Sequence, residues 1–186
     1  LMEKIKATYT HAELVAGFLN EASREKFFRL IVEEFQQRLY YFIRRIVITH
    51  EDTDDVLQEV FIKAWRKLNQ LEKPEQLSAW LYRIAHNECM NQLSSSHRNK
   101  STAIDETNFQ IVDSNHPLNA EEWNNKVHVA IQQLPLQQKT VFNLRYFDEM
   151  PYAQISEVMQ ISEGGAKALF HHAMKKMQSM LGLDEK

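Results

Sequence analysis

The side chains best suited to chemistry in this chain are its histidines and its one cysteine. His171 and His172 are adjacent, so on a helix they point about 100° apart and are poorly placed to bind one metal ion. His86 and Cys89 supply only two ligands, and no third is indicated. No phosphate-binding glycine loop and no nucleophile motif occurs. The sequence therefore predicts a protein that is not an enzyme and has no metal, cofactor or small-molecule substrate.

A second set of polar residues is better suited to binding than to catalysis. Arg83, His86, Asn87 and Asn91 have spacings that bring them to one side of a helix. Their guanidinium, imidazole and amide groups can hydrogen-bond to phosphates and to the edges of bases. This pattern indicates a candidate nucleic-acid contact.

The elements that position these residues are predicted to be helices throughout. Only four Gly and four Pro occur in 186 residues, too few for the many turns of an all-β fold. A stretch rich in Ser, Asn, Thr and Asp divides the chain. We therefore predict an all-α protein with two small helical domains, residues 8–95 and 119–182, joined by a flexible linker over 96–118.

Apolar spacing predicts four helices in the first domain, with Thr10 and Ser23 as caps of the first two. The third and fourth are expected to bury two apolar sets, Val56, Val60, Phe61, Ala64 and Trp65, and Leu77, Trp80, Leu81, Ile84 and Ala85. The fourth is predicted over 75–93. In the second domain Asn119 and Glu122 resemble a capping box. Segments 152–159 and 162–180, separated by Gln160 and Ile161, have helix-turn-helix spacing.

Charge and hydropathy narrow the function classes. The formal net charge is −3, so the chain as a whole is not a basic nucleic-acid-binding module. No run of roughly 18 or more apolar residues occurs, and the N-terminal stretch lacks the pattern of a secretion signal. We expect a cytoplasmic protein.

Three blocks resemble one family. Residues 54–65 contain two aspartates followed by Gln58-Glu59, Phe61 and Ala64-Trp65. Residues 80–87 form a second block a short distance further along the chain. A third block, 134–176, contains the helix-turn-helix. Together they resemble RNA polymerase sigma factors of the extracytoplasmic-function (ECF, group IV) type in the sigma-70 family. The resemblance implies a sigma domain two, with a helical bundle, followed by a sigma domain four.

The resemblance also implies roles for individual residues. Domain two would bind the clamp coiled coil of the largest polymerase subunit through Asp54, Asp55, Gln58, Glu59, Phe61 and Lys63. It would hold the melted minus-ten element through Asn69, Gln70, Arg83, His86, Asn87 and Asn91. Domain four would dock on the polymerase flap and contact the minus-35 element through Ser162, Glu163, Gly164, Gly165, Lys167, Ala168, His171, His172 and Lys175. An anti-sigma factor would control the protein.

Departures from the family pattern leave a second hypothesis open. The family usually has Gly where Gln160 stands, and it carries several arginines on the recognition helix where this chain has only lysines. Exposed Leu169 and Met174 could instead mark a protein-binding surface. The alternative is a sigma-like regulator that binds polymerase or an anti-sigma factor without recognising promoter DNA.

Overall fold

A computed structural model describes residues 9–47, 49–99 and 120–183. Every regular element in these ranges is helical, which confirms the predicted all-α class. The elements are α1 (His11–Leu19), α2 (Arg24–Ile46), α3 (His50–Lys67), α4 (Leu77–Asn99), α5 (Ala120–Gln132), α6 (Leu136–Phe142), α7 (Tyr152–Met159) and α8 (Glu163–Leu181). Two 3-10 turns, Leu68–Gln70 and Pro74–Gln76, precede α4, and a π-helical segment, Asn143–Phe147, follows α6.

The chain divides into two compact units close to Ser95. Helix α4 is longer than predicted and ends at Asn99, so residues 96–99 of the predicted linker are helical. The rest of that linker and the predicted cap Asn119 lie outside the described residues. None of the described helices is long and apolar enough to cross a membrane.

The buried stripe of α2 forms the centre of the first unit. Its members recur every three or four residues and are fully or almost fully buried: Ile31, Phe35, Leu39, Phe42, Ile43 and Ile46. Helix α1 packs closely against α2, because a Cβ atom added to Gly17 would overlap the ring of Phe27. Glycine is therefore required at position 17 for the two helices to approach.

Local caps fix where the helices of the first unit begin. The Thr10 hydroxyl accepts from the Glu13 amide at 3.3 Å, and a Glu13 carboxylate oxygen accepts from the Thr10 amide at 2.6 Å. This confirms Thr10 as a cap, and the backbone hydrogen bond lowers the pKa of Glu13. Ser23 precedes α2 but its side chain does not cap the helix. Its hydroxyl donates to the Gly17 carbonyl at 2.8 Å instead.

The inward face of α4 differs from the prediction. Tyr82 is fully buried with its ring 5.1 Å from that of Phe42, whereas Trp80 and Ile84 are only half-buried. The apolar pattern favoured Trp80 because it cannot show which edge of a broad apolar stripe faces the core. Cys89 is also buried, and burial raises the pKa of its thiol to about 12.

The core of the second unit lies between α5, α6 and α8. Its buried apolar residues include Ala130, Ile131, Leu134, Phe142, Ala173 and Met177. Lys139 is buried beside them, where its Nζ donates to Oε1 of Gln132 at 2.9 Å and burial lowers its pKa.

The predicted helix-turn-helix is present as α7, a short turn and α8. Ser162 caps α8, with its hydroxyl accepting from the Gly165 amide at 3.0 Å. Gln160 in the turn has φ = 55°, in the left-handed region. The Ile161 amide then bonds back to the Ser156 carbonyl at 3.1 Å, which closes the end of α7.

We predict that Gln160→Gly stabilises the protein. A side chain at a left-handed position is strained by about 1 kcal/mol, and glycine removes that strain at some cost in chain entropy. The free energy of unfolding in urea should rise by up to about 1 kcal/mol. Gln160→Ala, which keeps a Cβ atom, is the matched control. A lower stability for the glycine variant than for the alanine variant would contradict this interpretation of the turn.

Candidate functional site

The first candidate surface is the outward side of α3. Asp54, Asp55, Gln58 and Glu59 are all exposed there, while Thr53, Val56 and Val60 face the core. Thr49 starts the helix by accepting from the Asp52 amide at 3.1 Å. The four exposed side chains make no hydrogen bond or ion pair within the described part of the chain. They are therefore available to a partner.

An aromatic cluster continues this helix side toward the C-terminal end of α3. Phe61 and Trp65 are half-buried on α3, and both contact Phe28 of α2 edge-on, with ring centroids 6.4 and 5.0 Å away. Phe18 of α1 completes the cluster at 5.4 Å from Trp65. Phe28 was not among the residues predicted to form this cluster. Extending the α2 stripe back by three residues from Ile31 would have identified it.

Lys63 is held differently from the other predicted polymerase contacts. Its Nζ lies 2.6 Å from a carboxylate oxygen of Glu88, so it joins α3 to α4. The same carboxylate oxygen accepts from the Asn91 amide group at 3.5 Å. This pair gives Lys63 an internal structural role that the sequence alone did not indicate.

The predicted minus-ten residues lie on two neighbouring elements. Asn69 and Gln70 are exposed in a 3-10 turn that follows the buried Leu68. On α4, Asn87 and Asn91 are exposed, and Arg83 and His86 are half-buried. The α4 set therefore shares a helix side as predicted, with a polar outer edge and a more enclosed inner edge.

His86 forms the enclosed edge of that set. Its Nδ1 is buried and has no hydrogen-bond partner among the described residues. Burial lowers the pKa of the ring, and a hydrogen bond with the Asn87 side chain opposes that shift only in part. His86 is therefore neutral at pH 7 and can contact a base edge, but it adds no positive charge for phosphates.

The third candidate surface is the outer side of α8. The predicted residues are exposed here except for the half-buried Gly165: Ser162, Glu163, Gly164, Lys167, Ala168, His171, His172 and Lys175. A Cβ atom on Gly164 would meet nothing within 4 Å, so packing within the protein does not require glycine there. The surface is therefore shaped for contact but is sparsely charged.

The cations of α8 are partly neutralised within the helix. Lys167 pairs with Glu163 one turn earlier at 2.7 Å, which leaves Lys175 and Lys176 without an ion pair among the described residues.

Leu169 and Met174 are half-buried rather than exposed, and Met174 packs against the core of the second unit. The expectation that both side chains are fully exposed is therefore wrong. Within the described ranges no group of three or more His, Cys, Asp or Glu side chains could hold a metal ion.

Comparison with known proteins identifies the family. Residues 31–99 match the sigma-70 region 2 family, and residues 124–177 match sigma-70 region 4. The RNA polymerase sigma-H factor of Pseudomonas aeruginosa is 33% identical over 165 residues, covering 83% of this chain and 86% of that protein. The chain belongs to the sigma-70 family of RNA polymerase sigma factors. It is thus a transcription initiation factor, a sigma subunit that binds core polymerase and directs it to promoters.

Other relatives agree with membership of the ECF group. The ECF sigma-E factor of Escherichia coli K12 is 29% identical over 166 residues, with 83% of this chain and 86% of that one covered. A solved complex of the sigma factor RpoE with the anti-sigma factor NepR from Bartonella quintana shares the fold, with a TM-score of 0.71 at 21% identity over 86% of this chain and 99% of that one. CnrH bound to the cytosolic domain of CnrY gives 0.68 at 21% identity, over 92% and 97%.

We predict that His86 makes this sigma factor less stable in mild acid. Its pKa in the folded state lies below the ordinary 6.5, so the unfolded chain takes up a proton first as the pH falls. Stability should therefore drop from about pH 6.5 downward. His86→Gln should lose less stability between pH 7.5 and 5.5 than the unchanged protein, as measured by thermal unfolding. His171→Gln, at an exposed position, is the control, and an equal effect of both substitutions would contradict the assignment.

Proposed function

We propose that the outer side of α3 is the surface through which this sigma factor binds core polymerase. The observation that carries the proposal is the set of four exposed polar side chains, Asp54, Asp55, Gln58 and Glu59, without partners among the described residues. Phe61 and its aromatic neighbours hold that helix side rigid, and rigid support reduces the entropy lost on binding. The target is the clamp coiled coil of the largest subunit.

Recognition of the minus-ten element is assigned to the 3-10 turn and α4. Asn69 and Gln70 can hydrogen-bond to an extruded base, since both amides are exposed. Asn87 and Asn91 can contact base edges, and Arg83 can contact a phosphate. Selectivity here would come from hydrogen bonds and shape, because the set contains one certain cation.

Recognition of the minus-35 element is assigned to the exposed side of α8. The second domain would also dock on the polymerase flap. Ser162, Gly164 and Lys167 lie at the start of the recognition helix, the part that enters the major groove in helix-turn-helix proteins. The salt dependence of DNA binding should be shallow, because few phosphates can be neutralised. Specific binding would then depend on the holoenzyme, where polymerase brings both domains to the promoter.

Control by an anti-sigma factor completes the proposal. Of the two solved structures named above, one is a complex of the sigma factor RpoE with the anti-sigma factor NepR, and the other is a complex of CnrH with the cytosolic domain of CnrY. The protein would act in the cytoplasm, through binding alone and without catalysis. The domains proposed for these tasks are residues 8–95 and 119–182, with a linker between them.

A second candidate function is a sigma-like regulator that occupies polymerase without recognising promoters. The pairing of Lys167 with Glu163 favours it, because this pair removes one of three lysines from the recognition helix. Such a regulator would need the α3 surface but not the α4 or α8 surfaces.

We predict that Gln58→Ala with Glu59→Ala weakens binding to core polymerase about tenfold or more, since both side chains lie on the proposed contact surface. Competition with a labelled sigma factor for core polymerase measures the affinity. Glu33→Ala with Gln37→Ala, an exposed pair on α2, is the matched control. Equal affinities for the two double variants would exclude α3 as the contact.

Run-off transcription from a promoter library distinguishes the two candidate functions. Core polymerase with this protein should produce sequence-selective transcripts that core polymerase alone does not. Binding to core without any new transcript would favour the regulator.

A further inference from the structure

Arg24 occupies an unusual position beside the proposed polymerase contact. It is the first residue of α2, and its guanidinium carbon lies 4.6 Å from the ring centre of Phe18 and 4.8 Å from that of Trp65. The two rings are almost perpendicular, at 87°, so the guanidinium sits in the corner between them. Two cation–π contacts therefore fix its orientation.

Folding alone does not explain a cation at this place. The N-terminus of a helix carries the positive end of the helix dipole, which disfavours an arginine there. No carboxylate pairs with Arg24 among the described residues, and its buried Nε has no hydrogen-bond partner. The two terminal nitrogens are not among the buried atoms that lack a partner. An oriented guanidinium with an incomplete set of hydrogen bonds is suited to receive an anion.

The location of Arg24 connects it with α3. Asp54, Gln58, Phe61 and Trp65 follow one another at intervals of four, three and four residues, so they form a single row along the helix. Arg24 covers the Trp65 end of that row, about 10 Å along the helix axis from Gln58. The row is therefore acidic at its beginning and cationic at its end.

We propose that Arg24 belongs to the polymerase-binding surface and forms a forked ion pair there with a carboxylate of the polymerase. The inference rests on the proposed role of α3. It adds a prediction of how charge is arranged on the polymerase segment. That segment would have basic groups opposite Asp54 and Glu59 and an acidic group opposite Arg24. The Phe18 and Trp65 rings hold the Arg24 guanidinium in one orientation before binding, which limits the entropy lost when the ion pair forms.

The test compares Arg24→Met with Arg29→Met in the full-length chain. Both changes remove one arginine from α2, but Arg29 is exposed and makes none of the ring contacts. Affinity for core polymerase is measured by competition and referred to the folded fraction in each sample, so a loss of stability alone leaves it unchanged. We expect Arg24→Met to bind roughly five- to twentyfold more weakly, with a shallower salt dependence, and Arg29→Met to bind as the unchanged protein does.

The remaining outcomes separate this inference from the proposed function. Unchanged affinity of Arg24→Met, alongside weak binding of the Gln58/Glu59 double variant, overturns the role of Arg24 and leaves the α3 contact intact. If neither Arg24→Met nor the Gln58/Glu59 double variant changes the affinity, the α3 contact is overturned and the Arg24 inference with it. If Arg24→Met leaves no folded protein, Arg24→Lys takes its place. Lysine keeps the positive charge but lacks the two parallel N–H donors of the guanidinium. We therefore expect the affinity for core polymerase to fall about threefold or more, and full affinity would refute the forked ion pair.

Discussion

The packing of the buried α2 stripe is the interaction on which the first domain depends. Phe42 fixes α4 through Tyr82, Phe28 fixes the aromatic end of α3, and Gly17 allows α1 to approach. The candidate surfaces on α3 and α4 are the outer sides of helices whose inner sides pack in that core. The sharing of one core explains how the proposed polymerase and minus-ten surfaces can both fit on fewer than 100 residues, since a small bundle has enough surface for two contacts.

Electrostatics sets a second constraint, on how the protein finds DNA. A net charge of −3, a neutral His86 and a Lys167 already paired with Glu163 leave little attraction for phosphates. We expect the free factor to bind DNA weakly for this reason. Promoter recognition would then require both domains to be held on one polymerase, where each raises the effective concentration of the other.

Sequence periodicity predicted the helical class, the helix-turn-helix and the outward position of the polar α3 residues, because these features depend on local spacing. The left-handed conformation of Gln160 occurs at the turn position where the family usually has glycine. What the sequence did not show depends on contacts between helices. Tyr82 rather than Trp80 is buried, Lys63 is paired with Glu88, and Met174 packs inward. Arg24 was missed for the same reason, since its two rings come from α1 and α3.

The buried thiol of Cys89 has a consequence for the signals this factor can respond to. Peroxides and disulfides react with the thiolate, and a pKa raised to about 12 keeps the Cys89 thiol protonated at neutral pH. Burial closes the path to the sulfur as well. Because these 186 residues contain no other cysteine, we expect no thiol among them to react readily with oxidants. If the genes under its control respond to oxidants, a second protein must detect them and pass the signal on by releasing the factor.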